Sequence, residues 1–320
     1  MALMLTLTLT LGAGRIAPVS AANDAAAQSH QALVQLQRAT DGASLAAAAL
    51  LARGAAQSAA DASRALQDFL VPGRAASLSM ALIARAAAAA PESAEIAWLQ
   101  VTLCQATPGC DSTRFEQQLR SLDPANGASA FAAMERAHRA HGEAAISRAM
   151  HDLADSKQLD LYWSGLTHDL GFAVVRTGKM PANQALIEVI GRLAALSIPP
   201  YEVVSSWCHG EHLTQGDSQS VCRKVAASMQ NGDIYLTQGV GIGIAKRAWP
   251  EDSPEWRAAA RARRLMDYEL TVLGKVQPLR QSDVDAERYL ALYGKFRREN
   301  DVTRARIVAA GYAPDPPDTP

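Results

Sequence analysis

The residues best suited to covalent chemistry are four cysteines, Cys104, Cys110, Cys208 and Cys222, which form two pairs that are close in sequence. Each pair brackets a short segment of turn-forming residues, so both sulfurs of a pair lie near one chain reversal. An even number of cysteines in local pairs predicts disulfides in an oxidising compartment. We therefore predict the pairs Cys104–Cys110 and Cys208–Cys222. Buried reduced thiols are the alternative for a chain that stays in the cytosol.

The second cysteine pair also suggests a metal site. One helical turn separates Cys208 from His212, and thiolate and imidazole groups are ligands that zinc prefers. With His209 and Cys222 they form a candidate zinc site, although the spacing does not match a His-Glu-x-x-His or a paired Cys-x-x-Cys motif. A disulfide uses the same two cysteines and needs no metal. The prediction is therefore a disulfide, with no metal or other cofactor.

Several polar residues in the middle of the chain could take part in acid–base catalysis. Histidine titrates near neutral pH and is the most common general base. The candidates are His168, Asp169, His209, Glu211 and His212. An exposed polar helix face explains such residues equally well, and the sequence contains no Gly-x-Ser-x-Gly or Ser-x-x-Lys motif. A hydrolase-type enzyme with its site in residues 161–275 is therefore the alternative function.

A glycine-rich stretch at residues 239–243 invites comparison with phosphate-binding loops. It lacks the third glycine of a dinucleotide-binding motif, and no Gly-Lys-Ser/Thr sequence follows it. The flanking sequence has a helical pattern, and glycine on a helix lets a neighbouring helix approach closely. We predict that these glycines serve helix packing or a turn.

Alanine content indicates the elements that must position these residues. The chain of 320 residues contains 64 alanines, 44 of them in residues 1–150. Alanine is the strongest helix former and is depleted in strands. The sequence therefore predicts an all-α fold.

The N-terminus has the features of an export signal. Residues Leu3 to Leu11 form an apolar run that is much shorter than the ~20 residues needed to span a bilayer. Small residues near Ala21 provide a cleavage site, although no basic residue precedes the apolar run. A buried strand is the alternative, because leucine and threonine alternate here. We predict a signal peptide over residues 1–21 and a periplasmic or secreted protein, which agrees with disulfide formation.

The charge balance argues against some partners. The chain has 31 basic and 32 acidic residues, giving a formal net charge of −1. That balance removes the usual electrostatic reason for binding nucleic acid. After the N-terminal apolar run, no segment is apolar enough to cross a membrane, so no transmembrane segment is predicted in the mature chain.

A repeat of 33 residues is visible in the first half of the chain. The recurring positions are Pro91 and Pro124, Trp98 and Phe131, and Gly109 and Gly142. Each unit contains a turn at proline, a helix with the aromatic residue, a turn at glycine and a second helix. Such a period is typical of helical repeat proteins.

Residues 75–160 resemble tetratricopeptide repeats. In that family an aromatic residue early in the first helix precedes a glycine by about eleven positions, as Trp98 precedes Gly109 and Phe131 precedes Gly142. The chain departs from the family pattern at Arg114, where the family has alanine in the second helix. The resemblance implies a right-handed stack of helices with a protein-binding surface.

These observations predict antiparallel helical hairpins stacked as a TPR-like, irregular α-solenoid. The predicted segments are a signal peptide (1–21), Ala-rich helices (22–72), TPR-like hairpins (73–160), a helical domain (161–275), a C-terminal helix (276–312) and a disordered tail (313–320). The function predicted from the sequence is a non-catalytic interaction or structural module with protein or peptide ligands.

Overall fold

A computed structural model of the chain describes residues 19–57, 72–196, 200–214, 216–276 and 282–317. Over these ranges the chain forms fifteen α-helices and one 3₁₀ turn, with no β-strand. Helices make up 75% of the structure, against about one third in an average globular protein. The predicted all-α class is confirmed.

The helices follow one another with short connections. They are α1 Val19–Leu36, α2 Gly42–Gln57, α3 Pro72–Ala89, α4 Ala94–Gln105, α5 Thr113–Leu122, α6 Ala128–Arg139, α7 Glu143–Asp155, α8 Trp163–Val175, α9 Ala182–Ala195, α10 Tyr201–Trp207, α11 Gly216–Gln230, α12 Tyr235–Ala248, α13 Pro254–Leu273, α14 Asp283–Lys295 and α15 Glu299–Ala309. The 3₁₀ turn Gly210–Leu213 lies between α10 and α11.

Serine side chains cap three of these helices. Ser93, Ser253 and Ser282 precede α4, α13 and α14, and each hydroxyl accepts a hydrogen bond from a backbone N–H in the first turn. Such a cap satisfies one of the N–H groups that the helix leaves unpaired, and replacing it with alanine costs about 1 kcal/mol. Local sequence therefore determines where these helices begin.

Alanine allows α2 and α3 to pack very closely. Residues 46–49 of α2 are four consecutive alanines, all buried. At the start of α2, a Cβ added to Gly42 would lie 2.7 Å from the Ala90 Cβ. The small side chains explain why the alanine-rich half of the sequence forms a packed core with so few aromatic residues.

Helices α4 to α7 form the two hairpins of the repeat. Each helix packs on the next one, and α4 also packs on α6. The repeated aromatic residues Trp98 and Phe131 are both buried on the first helix of their hairpin. Beyond these hairpins, α7 packs on α11, and α8 packs on α2, α9 and α14. The TPR-like stacking stays a prediction.

Two helix boundaries differ from the sequence pattern. The apolar stretch that starts at Leu159 is not helical from its first residue, because α8 begins at Trp163. The backbone of Asp160 instead exchanges two hydrogen bonds of 2.9 Å with the side chain of Asn126, and Tyr162 takes a left-handed conformation. The predicted final helix is also two helices, because the chain becomes extended at Phe296 and Arg298.

Buried apolar side chains form one large cluster and one small one. The large cluster extends from Ala32 to Met266, and the small one joins α8, α9, α14 and α15 around Leu186 and Leu290. No helix in the described ranges is long and apolar enough to cross a bilayer.

The predicted terminal segments lie partly outside the described residues. Residues 1–18 of the predicted signal peptide and residues 318–320 of the predicted tail belong to this part of the chain. The rest of the tail has no helix, and the carbonyl oxygen of Ala313 accepts a hydrogen bond of 2.8 Å from the Tyr268 hydroxyl.

Candidate functional site

A mainly apolar cavity of about 330 Å³ lies between α4, α8, α10, α12, α15 and the end of α9. Its lining is mainly apolar and includes two tryptophans and one carboxylate. The lining residues are Trp98, Leu99, Thr102, Leu161, Trp163, Leu166, Leu193, Ala194, Leu196, Tyr201, Ile234, Leu236 and Glu299.

Helical spacing brings the aromatic wall together. Trp98 and Thr102 are four residues apart on α4, so they lie on one face. Trp163 and Leu166 are three residues apart on α8 and face the same cavity. On α10, the Tyr201 hydroxyl forms a hydrogen bond of 2.7 Å with the Thr237 hydroxyl, which satisfies both buried groups. The cavity wall is therefore built from fixed positions on packed helices.

Three helices begin at the polar end of the cavity. The first residues of α8, α12 and α15 are Trp163, Tyr235 and Glu299. Asp233 Oδ2 accepts a hydrogen bond of 3.0 Å from the Trp163 N–H, and the Asp233 carbonyl oxygen accepts one of 2.7 Å from the Glu299 N–H. Glu299 Oε2 accepts one of 2.9 Å from the Tyr235 N–H. Carboxylates thus satisfy helix N-termini, where negative charge is favoured.

Asp233 and Asp160 form a buried acidic pair beside this end of the cavity. Asp233 is completely buried, and Asp160 is nearly so. Burial, followed by the negative charge of Asp160, raises the pKa of Asp233 well above its usual range. Arg297 Nη1 lies 3.5 Å from Asp160 Oδ2 and offsets part of the negative charge. Asp233 therefore retains a proton at pH values where an exposed aspartate is ionised.

Glu299 is the single carboxyl group among the residues that line the cavity, and the lining contains no basic side chain. Burial raises its pKa, and the hydrogen bond from the Tyr235 N–H opposes that rise. Within the described residues, no basic side chain forms an ion pair with Glu299, and no donor reaches its Oε1. The carboxyl group therefore has hydrogen-bonding capacity left for a ligand.

The four cysteines pair as the sequence predicted. The Cα–Cα distances are 5.4 Å for Cys104–Cys110 and 5.5 Å for Cys208–Cys222, and both pairs are disulfides. The second bridge ties the end of α10 to α11, so it holds the helix that carries Tyr201.

The disulfide uses both sulfurs that the zinc alternative needs. The side chain of His209 is exposed, and that of His212 lies outside the described residues. Elsewhere in the described part of the chain, no group of three or more potential metal ligands is found.

The predicted catalytic candidates do not meet in the cavity. His168 Nδ1–H donates a hydrogen bond of 2.8 Å to Asp169 Oδ1 on the side of α8 that faces α14. His209 and Glu211 are exposed near the 3₁₀ turn. None of these four side chains belongs to the cavity lining.

A third carboxyl group with a raised pKa lies one helical turn from the tryptophan wall. Glu95 precedes Trp98 by three residues on α4, and its side chain packs on Gly165 of α8. Burial, followed by the charges of Asp169 and Asp160, raises the pKa of Glu95 to about 7. The sequence analysis missed Glu95. Its place in the first helical turn before an aromatic residue was the one available signal.

Comparison with protein-family models, with curated proteins and with solved structures finds no match to this chain. The fold and the site define a class on physical grounds alone. The chain is an all-helical protein with two disulfides and an apolar cavity that has a carboxyl group at one end.

Proposed function

We propose that the chain is an exported, non-catalytic binding protein that holds a small, largely apolar molecule in the cavity described above. The observation that carries the proposal is the cavity itself, with two indole rings, several leucines and one carboxyl group in its lining. Ligand sites are typically concave, mostly apolar and equipped with a few placed polar groups, and range from about 300 to 1,000 Å³.

Export is supported by chemistry at two places in the chain. Disulfides persist in oxidising compartments and are rare in the cytosol of most organisms. Both cysteine pairs are bridged, and the N-terminal sequence has the apolar run and small residues that predict a signal peptide over residues 1–21. A periplasmic or secreted binding protein meets its ligand outside the cytoplasm.

The test uses a neutral fluorescent probe, N-phenyl-1-naphthylamine, whose emission rises in apolar surroundings. Ala194 lines the cavity but is itself exposed, so Ala194→Trp fills the space with little disturbance of the core. Ile187→Trp adds the same side chain at an exposed position of α9 outside the cavity. We expect the first variant to weaken probe binding at least tenfold and the second to leave it unchanged.

Two results would overturn this proposal. One is the absence of any probe binding to the wild-type protein, and the other is equal binding by both tryptophan variants. Circular dichroism on each variant verifies that the helical content is retained.

A protein-interaction module is the second candidate function, and a groove supports it. The groove, of about 580 Å³, lies between the α6–α7 hairpin of the TPR-like segment and α10. Its lining combines apolar and charged side chains, among them Ile146, Val203 and Glu143. Such a surface suits an amphipathic peptide.

A photo-reactive amino acid at position 203, compared with one at the exposed position 187, tests this second function. A protein partner cross-linked from position 203 alone would support the groove as its site. Equal cross-linking from both positions would contradict it. A hydrolase has weaker support, because none of His168, Asp169 and Glu211 lines the cavity.

A further inference from the structure

We infer that the cavity ligand is an amphipathic amine, with an apolar body packed against Trp98 and Trp163 and a cationic nitrogen directed at the Glu299 carboxylate. This inference rests on the proposed function and specifies the ligand class of the same site. It follows from the charges, hydrogen bonds and side-chain types around the cavity.

The first argument is the sign of the charge in the lining. Among the lining residues there is one carboxyl group and no lysine, arginine or histidine. Asp233 and Asp160 are adjacent in sequence to the lining residues Ile234 and Leu161. The raised pKa of Asp233 keeps that group protonated, so Glu299 is the carboxyl group without a compensating proton or cation. Arg297 is the basic residue nearest to this pair, and it is already bound to Asp160. A cation is therefore the complementary ligand charge.

The second argument excludes an anion at the helix N-termini. Such termini bind anions when their N–H groups are free. Here the N–H groups of Trp163 and Tyr235 donate to the carboxylates of Asp233 and Glu299, and the Glu299 N–H donates to a carbonyl oxygen. The protein has filled these three positions with its own acceptors.

The third argument concerns the unmatched carboxyl group. Glu299 is partly buried, and partial burial makes an unpartnered carboxylate less favourable than one in water, whereas a charged hydrogen bond to an ammonium group is among the strongest available. Glu299 Oε2 has its hydrogen bond from Tyr235, and within the described residues no cation pairs with the group. An ammonium group bound at Oε1 supplies that partner.

The aromatic wall fits the same ligand. The faces of indole rings attract cations within about 6 Å, and their large apolar area packs against hydrocarbon. Trp98 and Trp163 both line the cavity, together with Leu99, Leu166 and Leu193. The lining therefore offers apolar contact for the body of the ligand and negative charge for its nitrogen.

The ionisation of Glu299 links amine binding to pH. The titratable groups that face it are the phenols of Tyr201, Tyr235 and Tyr293, all with raised pKa values, so they stay neutral through pH 8. Burial also raises the pKa of Glu299 itself. A bound ammonium favours the ionised form, so affinity for the amine increases as pH rises from 5 to 8.

The experiment compares three probes with one apolar body, 4-phenylbutylamine, 4-phenylbutanol and 4-phenylbutanoate, by isothermal titration calorimetry at pH 8. We expect the amine to bind at least tenfold more tightly than the alcohol, and the carboxylate to bind most weakly. In Glu299→Gln the amide oxygen still accepts from the Tyr235 N–H, but the charge is lost. The amine should then bind like the alcohol, whose own affinity is unchanged.

Glu92→Gln is the matched control, because Glu92 is exposed in the turn before α4 and lies outside the cavity. It should keep the preference for the amine. If Glu299→Gln fails to fold, the wild-type protein alone still tests the inference. Its ratio of amine to alcohol affinity must rise between pH 5 and pH 8.

The outcomes separate this inference from the proposed function. Equal affinities for amine and alcohol, or a preference for the carboxylate, overturn the inference and leave an apolar binding protein. Failure of all three probes together with the naphthylamine overturns both.

Discussion

The carboxylate of Asp233 accepts a hydrogen bond of 3.0 Å from the backbone N–H of Trp163, which lies 70 residues earlier in the chain. Asp233 immediately precedes the cavity residue Ile234, and Trp163 is itself part of the cavity wall. One buried polar contact therefore fixes the start of α8 relative to the start of α12. The shape of the apolar cavity depends on this polar contact behind it.

Replacement of Asp233 should show what this contact contributes. Asp233→Ala leaves the buried Trp163 N–H without an acceptor, and we expect a loss of about 2 kcal/mol in the free energy of unfolding. Asp233→Asn keeps an acceptor oxygen and should lose much less. Urea denaturation of both variants at pH 5 and pH 8 measures these losses in the free energy of unfolding.

Measuring the Asp233 variants at two pH values also tests the raised pKa of Asp233. Because the pKa of Asp233 is raised in the folded state, the unfolded chain releases this proton more readily than the folded protein as pH increases, which favours unfolding. The wild-type protein should therefore lose stability relative to Asp233→Asn between pH 5 and pH 8. Equal losses in the alanine and asparagine variants would show that the hydrogen bond does not hold these helices together.

Glu95 should lower the stability of the wild-type protein above neutral pH. Its pKa rises from 4.5 when unfolded to about 7 when folded, because of burial and of the charges of Asp169 and Asp160. The stability contribution is complete below pH 4.5 and is lost as pH rises to 7. Glu95→Gln resembles the protonated form, so it should match the wild type at pH 4.5.

At pH 8 we expect Glu95→Gln to be more stable than the wild type, by on the order of 1 kcal/mol after solvent screening. Thermal denaturation followed by circular dichroism between pH 4.5 and pH 8 provides the measurement. The exposed Glu92→Gln is the control and should be neutral throughout. A difference that stays constant with pH would contradict the raised pKa of Glu95.

The glycines of α12 offer a matched pair of substitutions. A Cβ on Gly241 would lie 2.6 Å from the backbone nitrogen of Gln230 in α11, whereas one on Gly243 would meet a single arginine side-chain atom at 3.8 Å. We expect Gly241→Ala to destabilise the protein by about 1–3 kcal/mol through overpacking. Gly243→Ala should stabilise it by about 0.5–1 kcal/mol, because alanine favours helix. Chemical denaturation of both variants measures these effects, and equal effects would rule out close packing at Gly241.

The local features of the fold were predictable from the sequence. Alanine content predicts the all-α class of the described chain, and residues 239–243 lie on a helix, where Gly241 is the glycine that packs closely on α11. The cysteine pairs were predictable as well, because each closes a short loop. These features depend on residues that are close in sequence.

The candidate site could not be predicted in the same way. Glu299 accepts a hydrogen bond from Tyr235, which lies 64 residues earlier in the chain, and Asp233 accepts one from Trp163, which lies 70 residues earlier. No local pattern marks either acid, because each looks like an ordinary residue beside a turn or at a helix start. Only the tertiary fold, which places the starts of α8, α12 and α15 together, brings them to one place. The late start of α8 has the same origin, since its cause is the distant side chain of Asn126.

The two disulfides should differ in their contributions to stability. The cysteines of Cys208–Cys222 are 14 residues apart, and those of Cys104–Cys110 are 6 apart. A cross-link restricts the unfolded chain more strongly when its loop is longer, which gives about 3 kcal/mol for the longer loop and about 2 kcal/mol for the shorter one. The variant with Cys208→Ser and Cys222→Ser should therefore have the lower midpoint in chemical denaturation. Reduction of the wild-type protein should lower the midpoint below that of either double variant. The prediction fails if non-reducing peptide mapping finds other linkages, or if removing the shorter loop costs more.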